Sequence, residues 1–149
     1  MEIFTSREGE ILLKKYSPVG ELGEFALELA ESIAQTTGEL VCVTDRDYVI
    51  AVAGSGKKEY EGKSLESSFQ SAIDRRINQV LSKEKEELID VFSGDSKTYT
   101  KQAIATILSH GDCIGAVTIL SKEASKNQDE ALLQLAKAMA GFLGKHMEQ

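Results

Sequence analysis

With 149 residues, of which 42% are hydrophobic and 28% charged, the chain has the composition of a globular protein built on one core, which excludes a disordered polymer. Lys and Arg number 17 against 24 Asp and Glu, a formal net charge of −7 that opposes nucleic acid and anionic lipid over most of the surface. No apolar run approaches the roughly 18 residues of a membrane helix, and the first residues lack a basic start followed by an apolar stretch, so no membrane partner and a cytoplasmic location are expected.

Residues 2–5 and 9–14 are two short strand candidates around Ser6-Arg7-Glu8, with Gly9 suited to the turn. Ser17-Pro18 marks the start of a first helix, since Ser caps and Pro is tolerated in the first turn. Its stripe is Leu22, Phe25, Ala26, Leu29, Ala30 and Ile33, with Glu21, Glu24, Glu28 and Glu31 opposite and Gly38 as the terminating residue. Leu40–Val43 and Tyr48–Ala53 then read as an antiparallel hairpin across Thr44-Asp45-Arg46-Asp47, whose Asp side chains bond their own backbone.

A second helical region is expected from Ser64 as N-cap, with Leu65, Phe69, Ile73, Ile77 and Val80 or Leu81 as its stripe, in one helix or two short ones. Lys83 to Glu87 is a charged connector, Leu88–Phe92 a short third strand, and residues 93–98 a polar surface loop. Ala103–Leu108 and Cys113–Leu120 form a hairpin across Ser109-His110-Gly111-Asp112. The last helix begins at Ser125, with Gln128 completing a capping box and Asp129 and Glu130 in its first turn. Leu132, Leu135, Ala136, Met139, Phe142, Leu143 and Met147 make its stripe. Gly141 and Gly144 interrupt it at about 0.5–1 kcal/mol each, a cost that closely approaching backbones at a helix–helix interface would offset.

This order implies an α/β domain of the α+β kind: a mostly antiparallel sheet with both terminal helices on one face and the middle helix and loops on the other. The outer sides of the terminal helices, through Leu22, Phe25, Leu29, Leu135, Met139 and Phe142, are the expected homodimer interface. The simpler alternative is that both are core helices of a monomer.

Catalytic chemistry finds little support in the residues. His110 and His146 lack ligand spacing, so no metal is expected, and His146 suits the carbonyls of a helix C-terminus. Cys42 and Cys113 sit in apolar strand runs, where a thiol is a small buried hydrophobe rather than a nucleophile; lining a cavity or touching across the sheet is the alternative role. Gly54-Ser55-Gly56-Lys57-Lys58 lacks the spacing and the Ser/Thr of a phosphate loop, which leaves a turn with two solvated lysines and weak anion capture as its only site reading. Asp45 and Asp47 are turn formers, not an acid–base pair. Arg75 and Arg76 are too few for a nucleic-acid patch. A small-molecule site would lie between the sheet and the middle helix, lined by Cys42, Ser55, Lys57, Phe69, Ile73, Thr106 and Cys113; the same residues equally suit a filled core.

The stretches from Glu10 through Ser17-Pro18 to Gly23, from Val43 to Tyr60, from His110 to Ile119 and from Ala140 to Gln149 together resemble the stage V sporulation family of AbrB-type transcription regulators, over essentially the whole chain. The resemblance implies that residues 1–16 are the last strands and linker of an N-terminal swapped-hairpin DNA-binding domain, and residues 17–149 a GAF-like regulatory domain with a five- or six-stranded sheet. It further implies a regulator of sporulation genes, activating and sometimes repressing, which reaches DNA only through an N-terminal part missing here. The Asn-Lys-Phe-Asp-Glu signature of cyclic-nucleotide-binding GAF domains is not found, so no cofactor is implied and the small-molecule ligand is unspecified.

Overall fold

In a computed structural model, residues 22–92, 94–95, 99–122 and 126–147 are described. The expected strands of residues 2–14, the helix start at Ser17-Pro18 and the cap at Ser125 lie outside them. Helix α1 (Gly23–Thr37) leads into strands β1 (Leu40–Thr44) and β2 (Val49–Ala53), a 3₁₀ turn (Lys57–Glu59) and helix α2 (Ser67–Asp74). Strands β3 (Asn78–Ser82), β4 (Lys101–Ser109) and β5 (Asp112–Ser121) and helix α3 (Asp129–Met147) complete the chain. The five strands pair antiparallel in the order β2-β1-β5-β4-β3.

The period of two along each strand divides the core. Val41, Val43, Ala51, Ala53, Ala103, Ala105, Ile107, Val117 and Ile119 face Ala26, Ala30 and Ala34 of α1 and Leu132, Ala136, Met139, Ala140 and Leu143 of α3. Leu40, Cys42, Val49, Val52, Ile104, Ala116 and Leu120 face the other way, against Tyr60, Leu65, Phe69, Ile73, Leu81, Val91 and Tyr99. The expected two-sided architecture is therefore present, with both terminal helices on one face.

Both hairpins form where the strand and turn residues place them. In the first, Asp45 accepts from the amides of Asp47 and Tyr48, both at 2.7 Å, the self-bonding turn its position implies. Gly38 ends α1 at φ 78°, its amide bonded to the Ala34 carbonyl. In α3 the close approach is to a strand rather than to another helix, and at one glycine only: a Cβ on Gly144 would lie 2.2 Å from the Leu108 carbonyl oxygen, so only glycine lets helix and strand approach this closely, whereas a Cβ on Gly141 would meet nothing within 4 Å.

Three expectations fail. The helix from Ser64 to Leu81 is only the eight residues of α2. Ser64 instead bridges to Tyr48, and the N-cap is Glu66, without a side-chain bond. The chain reverses at Arg76 (φ 57°), whose guanidinium donates to the Gly111 carbonyl at 2.7 Å. Val80 and Leu81 then belong to β3, zipped onto Ala103 and Gln102; apolar residues at 77, 80 and 81 had satisfied a helical period by coincidence. Secondly, Leu88–Phe92 is not a strand, because β3 already occupies the edge of β4. It crosses the sheet face, and the Gln102 side chain takes the place of a neighbouring strand: Oε1 accepts from the Ile89 amide and Nε2 donates to its carbonyl, both at 2.8 Å. Thirdly, the loop after Phe92 is not wholly a surface feature, since Asp95 is buried.

Candidate functional site

Residues 88–92, with Asp95, make a strap over the face of the sheet away from α1 and α3, and its closure depends on polar groups. Asp95 accepts from the amides of Val91 (2.8 Å) and Phe92 (3.3 Å) and from the Tyr60 hydroxyl. Tyr60 packs edge-on against Phe92 and Tyr99. Burial lifts the Asp95 carboxyl to about 6, although the Tyr60 hydroxyl and the strap amides oppose that rise. The same burial, with the nearby carboxylate, pushes the Tyr60 hydroxyl and the Cys42 thiol well above their ordinary ranges, so neither is a ready nucleophile or acid. Tyr99 is also raised, chiefly by burial.

Next to this interior, four strand ends converge on a cleft of ≈ 490 Å³. Its floor is the cross-strand pair Leu40 and Leu120, with Tyr99 beside them. Thr37, Gly38 and Glu39 supply the wall after α1, Ser55 the turn after β2, and Lys122, Lys126 and Asn127 the segment between β5 and α3. The Asn127 amide ties the two helix-bearing segments together: its Nδ2 donates to the Thr37 carbonyl at 2.9 Å and to the Glu39 carboxylate at 2.5 Å. Gly54, at φ 115°, allows the turn to close against β1, where a Cβ would meet the Glu39 carbonyl oxygen at 2.7 Å.

The structure divides the residues expected to line a pocket. Cys42, Phe69 and Ile73 are fully buried together in the layer under α2, and Cys113 packs against that layer while its carbonyl accepts from Arg46 at 3.0 Å. The two free cysteines are separated along the sheet, because Cys42 pairs with Thr118 and Cys113 with Leu108. Thr106 donates its hydroxyl to the Ile77 carbonyl at 3.0 Å, which fixes the entry to β3. Ser55 lines the cleft, whereas Lys57 is half-buried in the adjoining 3₁₀ turn. Sequence reasoning missed Tyr60, Asp95 and Tyr99 in polar loops, Gln102, and the cleft residues Glu39, Lys122, Lys126 and Asn127. Gln102 alone gave a signal, as a lone amide heading the apolar run of β4.

Of the residues expected at a dimer interface, Leu22, Phe25, Leu29 and Leu135 are half-buried and Phe142 is 42% exposed, while Met139 lies in the core beneath α3. Phe25 and Phe142 meet across the two helices with ring centroids 5.4 Å apart. His146 stacks on Phe25 at 4.8 Å rather than serving only the helix end. Among the described residues no group of three or more His, Cys, Asp or Glu is arranged to hold a metal ion, and no helix is long and apolar enough to cross a membrane.

This architecture has close parallels. The model of the family described as stage V sporulation protein T C-terminal, transcription factor, matches residues 21–148. Stage V sporulation protein T of Bacillus subtilis (strain 168) is 40% identical over 150 residues, covering 100% of this chain and 82% of that protein. Among solved structures, the GAF domain region of a putative membrane protein from Geobacter sulfurreducens PCA superposes with a TM-score of 0.63 at 16% identity, covering 84% of this chain and 91% of that one. The cofactor-binding GAF domain of the nutrient sensor CodY from Clostridium difficile superposes with a TM-score of 0.58 at 15% identity, covering 81% and 83%. The chain has the GAF fold and belongs to the stage V sporulation protein T C-terminal family of transcription factors.

Proposed function

We propose that residues 17–149 are the regulatory and oligomerising domain of a sporulation transcription factor, which senses a small molecule and passes the signal to a DNA-binding domain reached through residues 1–16. The observation that carries this reading is the cleft at the end of α1, where an apolar floor meets a few convergent polar groups, the usual composition of a small-molecule site. Support also comes from the fold shared with the cofactor-binding domain of a nutrient sensor. Ligand binding there would act on α1 and α3 through the Asn127 tie, and these helices carry the half-exposed apolar row proposed as the contact between copies. A ligand alters transcription to the extent that it favours one arrangement of the oligomer over another. The protein then works in the cytoplasm as activator or repressor, with no catalytic step.

A second reading, a structural dimerisation domain without a ligand, is favoured by the complete burial of Cys42, Phe69 and Ile73, which fill the layer under α2. Native mass spectrometry of the chain taken directly from cell extract separates the two. The expected result is an oligomer carrying a stoichiometric small-molecule mass that is released on denaturation. A bare oligomer, unchanged by added metabolite extract, would establish the structural role instead.

A further inference from the structure

We propose that the cleft at the end of α1 takes a small organic anion with a compact apolar body, its charged head held by Lys122 and Lys126; this rests on the sensing reading above and adds the chemistry of the ligand. In a chain of net charge −7, the described lining residues carry two cations, Lys122 and Lys126, against one carboxylate, Glu39. That carboxylate belongs to a buried residue, 4% exposed, and is engaged by the Asn127 amide in the wall. Both lysines are exposed, and neither enters an ion pair among the described residues. Other lysines do find partners: Lys101, at the start of β4, reaches Asp129 at 2.6 Å.

The position of the charges relative to the floor sets the shape of the ligand. Lys122 follows Leu120 by two residues, so both side chains project from the same face of the chain leaving β5. A body lying on Leu40, Leu120 and Tyr99 therefore places its head beside Lys122, with the Ser55 turn at the rim. The volume of ≈ 490 Å³ falls within the roughly 300–1,000 Å³ of small-molecule sites. A cationic ligand would meet two like charges, and a neutral one would leave them unanswered. The head also touches a mechanically informative place, because Lys126 precedes Asn127, whose amide joins the segment entering α3 to the end of α1.

Three probes with one six-carbon body test this: hexanoate, hexylammonium and hexanol, titrated into the isotopically labelled full chain and followed by amide chemical shifts, with hexyl phosphate as a further anionic head. Saturable shifts centred on Gly38, Ser55 and Asn127 are expected with hexanoate or hexyl phosphate. Whichever anion binds more tightly identifies a carboxylate or a phosphate ester as the natural head. Replacing both lysines, Lys122→Gln with Lys126→Gln, should weaken that binding by about tenfold or more, while the dispersed spectrum shows that the variant is folded. Equal binding of hexanol and hexanoate, hexanoate binding unchanged in the variant, or no saturable shift at the cleft would overturn the proposal. A metabolite that copurifies with wild type and is retained equally by the double variant overturns this site while leaving the sensing reading intact; a wild-type chain that carries no metabolite from extract and binds no anion overturns both.

Discussion

On one face of the sheet, helices α1 and α3 come close to the strands because residues at the contact are small. On the other, an irregular strap is held by large side chains and pinned by polar ones. Ala26, Ala30 and Ala34 lie against Ala51 and Ala53, and Gly144 brings the α3 backbone to the Leu108 carbonyl. The opposite layer is filled by Phe69, Ile73, Tyr60 and Tyr99, with Asp95 and Gln102 supplying bonds that the strap, lacking a neighbouring strand, cannot make for itself. The lesson is that one layer resists any added volume, whereas the other depends on keeping the volume and the bonds it has. Function divides along the same line, with contact between copies proposed for the first and the ligand cleft beside the second.

The comparison is sharpened first by deletion. Phe69→Ala removes a fully buried ring from under α2 and should cost about 3–5 kcal/mol in chemical denaturation. A loss under about 1 kcal/mol would mean that the strap layer collapses onto the vacancy, and the contrast between the layers would fall. Addition tests the other face. Gly144→Ala should destabilise by about 1–3 kcal/mol despite alanine's better helix propensity, because the new methyl meets the Leu108 carbonyl. A more stable variant would show that α3 shifts outward freely.

The smallest effect is one of pH. The Asp95 carboxyl sits at about 6, above its ordinary 3.8, so the native state takes up a proton more readily than the unfolded chain. Its contribution to stability is fully present below about pH 4 and is lost as pH rises through about 6. Denaturation midpoints measured across this range should fall with rising pH by more in wild type than in Asp95→Asn. Identical profiles would show that the strap carboxylate does not couple to folding.

Much of the helix face was legible in the sequence, and much of the strap face was not. The stripes of α1 and α3 and the two hairpins follow local rules of period and turn chemistry, and so does Gly38. The cost of Gly141 and Gly144 in a helix points to close packing, which the structure places at Gly144 alone and against a strand instead of a second helix. The strap obeys no local rule: Leu88–Phe92 has the composition of a strand and is denied a place in the sheet because Asn78–Ser82 reaches the β4 edge first. Asp95 looks like any loop aspartate until Tyr60, 35 residues earlier, is brought onto it. The cleft was hidden for a related reason. Its residues come from four separate strand ends, and Ser55 alone was singled out beforehand, from its neighbouring glycines.

The strand order has a consequence for how the chain acquires its shape as it is made. Strand β1 sits between β2, its hairpin partner, and β5, which lies more than sixty residues further on: Leu40 pairs with Leu120 and Thr44 with Ala116. During synthesis the first hairpin and α1 are therefore complete long before the surface they must cover exists, and their apolar faces wait for the second hairpin to leave the ribosome. Pairings of such long range form slowly and leave unfinished edges exposed. A chain that ends before β5 thus leaves the inner edge of β1 without its partner strand, and joining β1 to β5 is what unites the two hairpins in one sheet.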